Sequence, residues 1–124
     1  MISKGARITA EQKRWESTVR EFGCVLFGND QGEHGAIQIH HVVGLTAKKD
    51  GVLIGPWYIL SLHWRLHDPR SSHSMNITNR RKDFLAKYGT EKELFLKMIS
   101  DMREQGRTIP FGADVLSAIK NSHR

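Results

Sequence analysis

The sequence has one cysteine, Cys24, in 124 residues. This rules out an internal disulfide, and a reducing compartment suits the chain. No apolar run approaches the roughly 20 residues of a membrane-spanning helix, so no membrane partner is expected. The segment Met1–Arg7 lacks the apolar stretch of a secretory signal, which makes the cytoplasm the expected location. No internal repeat and no low-complexity tract is present, which leaves no repeat architecture to consider. Acidic residues are the minority: 13 Asp and Glu against 19 Lys and Arg leave a formal net charge of +6, and the pI is near 9.8. That balance favours nucleic acid or another anionic surface as partner. The length fits one domain with a modest core.

Histidine, by contrast, is plentiful and clustered. Five of the seven histidines lie between positions 40 and 73. The first two, His40 and His41, sit in Ile37-Gln38-Ile39-His40-His41-Val42-Val43, whose β-branched residues favour a strand. Neighbouring side chains on a strand point to opposite faces. Two adjacent histidines therefore serve one site only where the strand ends or distorts, and Gly44 permits such a turn. One imidazole can then bind a metal while the other acts as a base beside it.

The rest of the chain reads as scaffold. Residues 1–8 form a basic, flexible arm and 9–124 a single domain. Thr9-Ala10-Glu11-Gln12 is a capping box opening a helix over 10–22 that stops at Gly23, with Trp15, Val19 and Phe22 on one stripe. Cys24–Phe27 reads as a short strand or tight connection, and 28–35 as a polar glycine-rich loop. Strands are expected at 36–43 and 57–62, joined by a loop over 44–56. From Ser61 or Leu62 the spacing becomes helical, which pairs His63 with His67 at i, i+4, and Pro69 limits that helix. A helix capped by Asn76 or Thr78 should end at Tyr88, before Gly89. A second capping box, Thr90-Glu91-Lys92-Glu93, opens a helix over about 91–105 that buries Leu94, Phe95, Met98, Ile99 and Met102. A short last helix spans 113–120.

Two histidines on one helical face are a usual way to supply two metal ligands, and neutral imidazole is the commonest side-chain ligand. His40 or His41 with His63 and His67 thus suggests one divalent metal between a strand end and a helix. His34 and His123 lack partners in the pattern and are not expected to be ligands.

A strand ending in His-His, a loop, a second strand and a His-bearing helix resembles the ββα-metal unit of HNH endonucleases. The resemblance implies an α+β fold, with a small ββα-metal (HNH) unit at about 36–73 surrounded by additional helices and a helical tail at 76–120. It implies His40 as metal ligand, His41 as general base, and His67, in Leu62-His63-Trp64-Arg65-Leu66-His67, as the helix ligand. Tyr58 stands where the family has the asparagine that braces the loop. The runs Phe22-Gly23-Cys24-Val25, Ile39-His40-His41-Val42 and Lys87-Tyr88-Gly89-Thr90-Glu91-Lys92-Glu93-Leu94, with Arg80, Arg81, Lys82 and Phe84 ahead of the last, are similar to the phage Ref-type, RecA-dependent nucleases. That similarity, over roughly 14–102, implies His73 as a further ligand, and a phage or prophage recombination accessory acting on RecA-bound DNA in the bacterial host cytoplasm. Zinc-stapled relatives carry two Cys-x-x-Cys pairs. Here the corresponding positions are Cys24 and Phe27, then His63 and Leu66, so no four-ligand structural zinc forms there and apolar packing is expected instead. His63 is a remnant, a polar surface residue or an extra ligand.

Phosphodiester hydrolysis needs an activated water and a cation to offset charge. A nitrogen-rich site suits zinc, nickel or manganese, and open water positions also admit magnesium. DNA contacts are expected from Lys48, Lys49, Arg65, Arg70, Arg80, Arg81 and Lys82. The competing reading is a non-catalytic, metal-stabilised module that binds DNA or docks on RecA.

Overall fold

The computed structural model describes residues 8–28 and 36–124. The expected arm at 1–8, apart from Ile8, and most of the glycine-rich loop with His34 lie outside the described residues. The fold is α+β, with five helices and two small antiparallel sheets among the described residues.

Helix α1, Ala10–Phe22, opens on the capping box: Thr9 Oγ1 accepts from the Gln12 amide at 3.1 Å, and Gln12 Oε1 accepts from the Thr9 amide at 2.9 Å. It ends at Gly23, whose φ of 93° is costly for any residue with a Cβ. Its buried face is Gln12, Trp15 and Val19, and Phe22 is only half-buried. Trp15 Nε1 donates to the Trp57 carbonyl at 3.0 Å, which ties the helix to the central strands.

Strand β1, Ile37–His41, pairs antiparallel with a later strand, Ile59–His63, in the register Ile37↔His63, Ile39↔Ser61, His41↔Ile59. The segment between them is not the plain loop expected. Strands β2, Lys48–Lys49, and β3, Val52–Leu53, form a hairpin around Asp50 and Gly51, whose φ values of 52° and 80° mark a type I′ turn. Gly55 lies so close to the Gly44 and Leu45 carbonyls that a Cβ there would collide with them.

Strand β4, Ile59–His63, extends one residue beyond the expected end, because the next amide, on Trp64, still donates to the Ala36 carbonyl at 2.7 Å. Helix α2 is consequently a single turn, Trp64–His67, starting two to three residues late. Helix α3, Arg81–Tyr88, has no side-chain cap. Asn76 and Thr78, expected to cap it, instead brace the loop behind α2. Helix α4, Glu91–Glu104, has its capping box and buries Leu94, Phe95, Met98, Ile99 and Met102 as the periodicity implied. Helix α5 is Ala113–Asn121. The core lies where α1, β4, α3, α4 and α5 meet, around Trp15, Leu62, Phe84, Phe95, Met102 and Ile119. Among the described residues no helix is long and apolar enough to cross a membrane.

Candidate histidine site

The register of β1 against β4 sorts the histidines. Gln38 and His40 pair with Leu62 and Leu60 on one face; Ile37, Ile39 and His41 pair with His63, Ser61 and Ile59 on the other. On the first face the imidazoles of His40 and His67 meet, with ring centres 5.1 Å apart and planes at 70°.

Each ring is held through one nitrogen. Nε2 of His40 lies 2.5 Å from Glu91 Oε2, and an ionised carboxylate only accepts, so this nitrogen carries the hydrogen. A neutral ring then has its lone pair on Nδ1. Glu91 is 2% exposed and its other oxygen accepts from Arg81 Nη2 at 2.5 Å, with Arg124 Nη2 at 3.6 Å. Burial pushes the Glu91 carboxyl up, but the bonds from His40 and Arg81 outweigh it and hold it down at about 2.

His67 is fixed by a longer chain. Arg70 donates to the Asp68 carboxylate through its amide at 2.9 Å, Nε at 2.9 Å and Nη2 at 2.8 Å. Those bonds, with one from Gln38, hold the Asp68 carboxyl far below the usual range. Gln38 Nε2 donates to Asp68 Oδ2 at 3.0 Å, so its amide oxygen faces His67 Nδ1 at 2.8 Å and must accept from it. The lone pair of His67 is thereby assigned to Nε2. Burial, then the neighbouring His40, brings the His67 pKa down to about 4, which keeps the ring neutral near pH 7. Metal-binding histidines usually donate their second nitrogen in this way. The pair thus fits a divalent ion in tautomer, with His40 Nδ1 and His67 Nε2 as the nitrogens left for it.

Behind α2, Asn76 is fully buried and makes four bonds. Its Nδ2 donates to the carbonyls of Arg65 and Asp68, both at 2.9 Å, and its Oδ1 accepts from the amides of Thr78 and Asn79, both at 2.9 Å. Thr78 Oγ1 donates to the His67 carbonyl. An asparagine brace is therefore present, 18 positions beyond Tyr58, which is itself buried with no hydrogen-bond partner for its hydroxyl among the described residues. Burial and the nearby Glu91 charge push the Tyr58 phenol up to about 12.

The other histidines lie elsewhere. His41 is exposed at the strand end. Its pKa is lowered by partial burial, against the opposing pull of Glu16. The strand is not distorted enough to turn His41 onto the face of His40. His63 ends β4 on the opposite face from His40, fully buried, with its ring 6.1 Å from that of Phe27. It is neither a surface residue nor the i, i+4 helical partner of His67, because the helix begins only at Trp64. His73 Nδ1 accepts from the Met75 amide at 3.0 Å, so in this orientation the neutral ring carries its hydrogen on Nε2 and has no lone pair there. Among the described residues no group of three or more His, Cys, Asp or Glu stands in metal-holding geometry.

At the four positions of the zinc staple, Cys24 and Leu66 are buried, while Phe27 is 37% exposed and rests against His63 and Tyr88. Of the expected DNA contacts, Arg81 is engaged with Glu91, Arg70 with Asp68 and Arg80 with Asp83. Arg65 lies over the Trp64 ring, and Lys48 and Lys49 form one strand of the hairpin.

Gln38, Asp68, Asn76 and Glu91 are absent from the expected site. Gln38 had a signal, since it lies two residues before His40 on the same strand face. Glu91 had a weaker one: the capping box uses Glu93, which leaves Glu91 without a local task.

No family model, curated protein or solved structure matches this chain.

Proposed function

We propose that this chain is a metal-dependent DNA endonuclease of the HNH kind, a phage or prophage recombination accessory that cuts RecA-bound DNA. The observation that carries the reading is the facing pair His40 and His67, each with one nitrogen tied, to Glu91 and to Gln38, and the other available. Two antiparallel strands followed directly by the turn that carries His67 support it further.

His40 and His67 would hold one divalent ion, with its remaining positions left to water and substrate. Zinc, manganese or magnesium there would offset charge on the scissile phosphate and the leaving oxygen. Glu91 and Gln38 keep the two rings in the tautomers that this requires. His41, exposed and with a lowered pKa, is unprotonated near neutral pH and accepts a proton from water. Lys48, Lys49 and Lys82, with Arg65, supply positive charge for the DNA backbone.

The strand alternation that separates His41 from His40 favours a second reading, a non-catalytic module that binds DNA or docks on RecA through a metal-stabilised fold. A plasmid-nicking assay across these metals, with and without RecA and a complementary oligonucleotide, divides the two. Nicking that disappears in His41→Ala supports the nuclease; tight DNA binding without nicking in every metal supports the binding module.

A further inference from the structure

Helix α2 presents a second surface beside His67. Trp64 and Arg65, with Arg70, Ser71, Ser72 and His73 from the following loop, line a cavity of about 330 Å³. No carboxylate is among these side chains. Two are guanidinium groups and two are hydroxyls, and His73 Nδ1 accepts from the Met75 amide at 3.0 Å. The nearby Asp68 carboxylate is occupied by Arg70 and Gln38, and its grip on Nε and Nη2 orients an Arg70 side chain that is still 84% exposed. The lining is therefore built of donors and suits an anion. It is also aromatic: the Arg65 guanidinium carbon lies over the Trp64 ring, 5.7 Å from its centre, so a cation and a half-buried indole stand together in the lining.

We infer that this cavity holds one nucleotide of single-stranded or unpaired DNA, with the phosphate against Arg65 and Arg70 and the base on Trp64. Donors that follow a backbone, set beside an aromatic face, are the usual means of binding single strands, because only an unpaired base exposes its face. The volume is at the small end of the about 300–1,000 Å³ of ligand clefts, which is room for one nucleotide. The location agrees with this use. Trp64 and His67 share the one turn of α2, and Arg70 is joined to His67 through Asp68 and Gln38. A strand seated here passes next to the histidine pair. The inference rests on DNA as the substrate and names its strandedness.

The test is binding in EDTA, so that no cleavage contributes. Fluorescence anisotropy with a labelled oligo-dT and with a duplex of equal length is compared for wild type, Trp64→Ala, Trp64→Phe and Arg65→Ala. Trp64→Ala should weaken single-strand binding by about 10-fold or more and Trp64→Phe by no more than about 3-fold, with duplex binding unchanged. Should Trp64→Ala fail to fold, wild-type protein cross-linked to a 5-bromodeoxyuridine oligonucleotide should carry its adduct within residues 64–73. Equal oligo-dT affinity for Trp64→Ala and wild type overturns the inference. So does a loss confined to Arg65→Ala and matched by competition from inorganic phosphate, which marks an anion site only, or an adduct elsewhere. Normal nicking by a protein without this preference removes the cavity and leaves the nuclease. Trp64-dependent binding by a protein that nicks in no metal does the reverse.

Discussion

His40 and Glu91 are 51 residues apart in sequence and 2.5 Å apart in space, and Glu91 is almost fully buried. The contact joins the first strand of the central pair to the first turn of α4. It sets which His40 nitrogen is available. A buried carboxylate that is held ionised here needs a constant partner, and Arg81 on its other oxygen provides one.

Glu91→Gln should therefore act on metal binding before it acts on the fold. The amide can donate to His40 and reverse its tautomer. Metal affinity should fall by about 10–100-fold, the usual effect of losing such a partner. Thr90→Ala, one residue earlier, should cost about 1 kcal/mol of stability and leave metal affinity nearly unchanged. Calorimetric titration of both variants with zinc and manganese checks the contrast.

Stability should fall with acid in two stages. His67 has a folded pKa near 4 against 6.5 as its ordinary value, so the unfolded chain binds more protons between those limits. Its contribution is complete above about pH 6.5 and is lost as pH falls toward 4. Glu91 is lowered from 4.5 to about 2, so its contribution is complete above about pH 4.5 and is lost as pH falls toward 2. Each stage is on the order of 3 kcal/mol. Urea unfolding in EDTA from pH 7.5 to 3 should show both, and His67→Gln should shrink the upper stage, leaving the smaller part due to His41, and spare the lower one.

Asn76→Ala should be among the most damaging changes outside the apolar core. It leaves the carbonyls of Arg65 and Asp68 and the amides of Thr78 and Asn79 without their partner. A loss of about 2–4 kcal/mol is expected, read by urea unfolding. Asn76→Asp keeps the acceptor and loses the donors, and should fall between wild type and Ala.

Cys24 is buried within the core, and the other three positions that hold cysteines in zinc-stapled HNH proteins are Phe27, His63 and Leu66 here. Cys24→Ser should cost about 1–2 kcal/mol, a packing change. Stoichiometric zinc in the wild type that disappears in this variant would show that the thiolate is a ligand.

Local signals in the chain were readable where local physics decides. The two capping boxes, at Thr9 and Thr90, form as their residue types require. The Asp50-Gly51 pair is a strong local hairpin signal, and the hairpin forms around it. The pairing of His63 with His67 failed for a tertiary reason: the bond from Trp64 to Ala36 holds one more residue in β4 and turns His63 to the other face. The roles of Gln38, Asp68 and Glu91 are not encoded locally, because each acts on a histidine through a contact across 29 or more residues, or through another residue that does. Helical or strand periodicity carries no information at that range.

The most direct test separates the two histidines of β1. Metal titration by calorimetry is set beside single-turnover cleavage for His40→Ala, His41→Ala and His67→Ala. His41→Ala should bind metal and DNA about as well as wild type and cleave on the order of 10²–10⁴-fold more slowly. His40→Ala and His67→Ala should both lose metal affinity, with part of the activity restored by excess metal. Loss of metal by His41→Ala with retention by His40→Ala would reverse the roles, and cleavage unaffected by all three changes would contradict the nuclease.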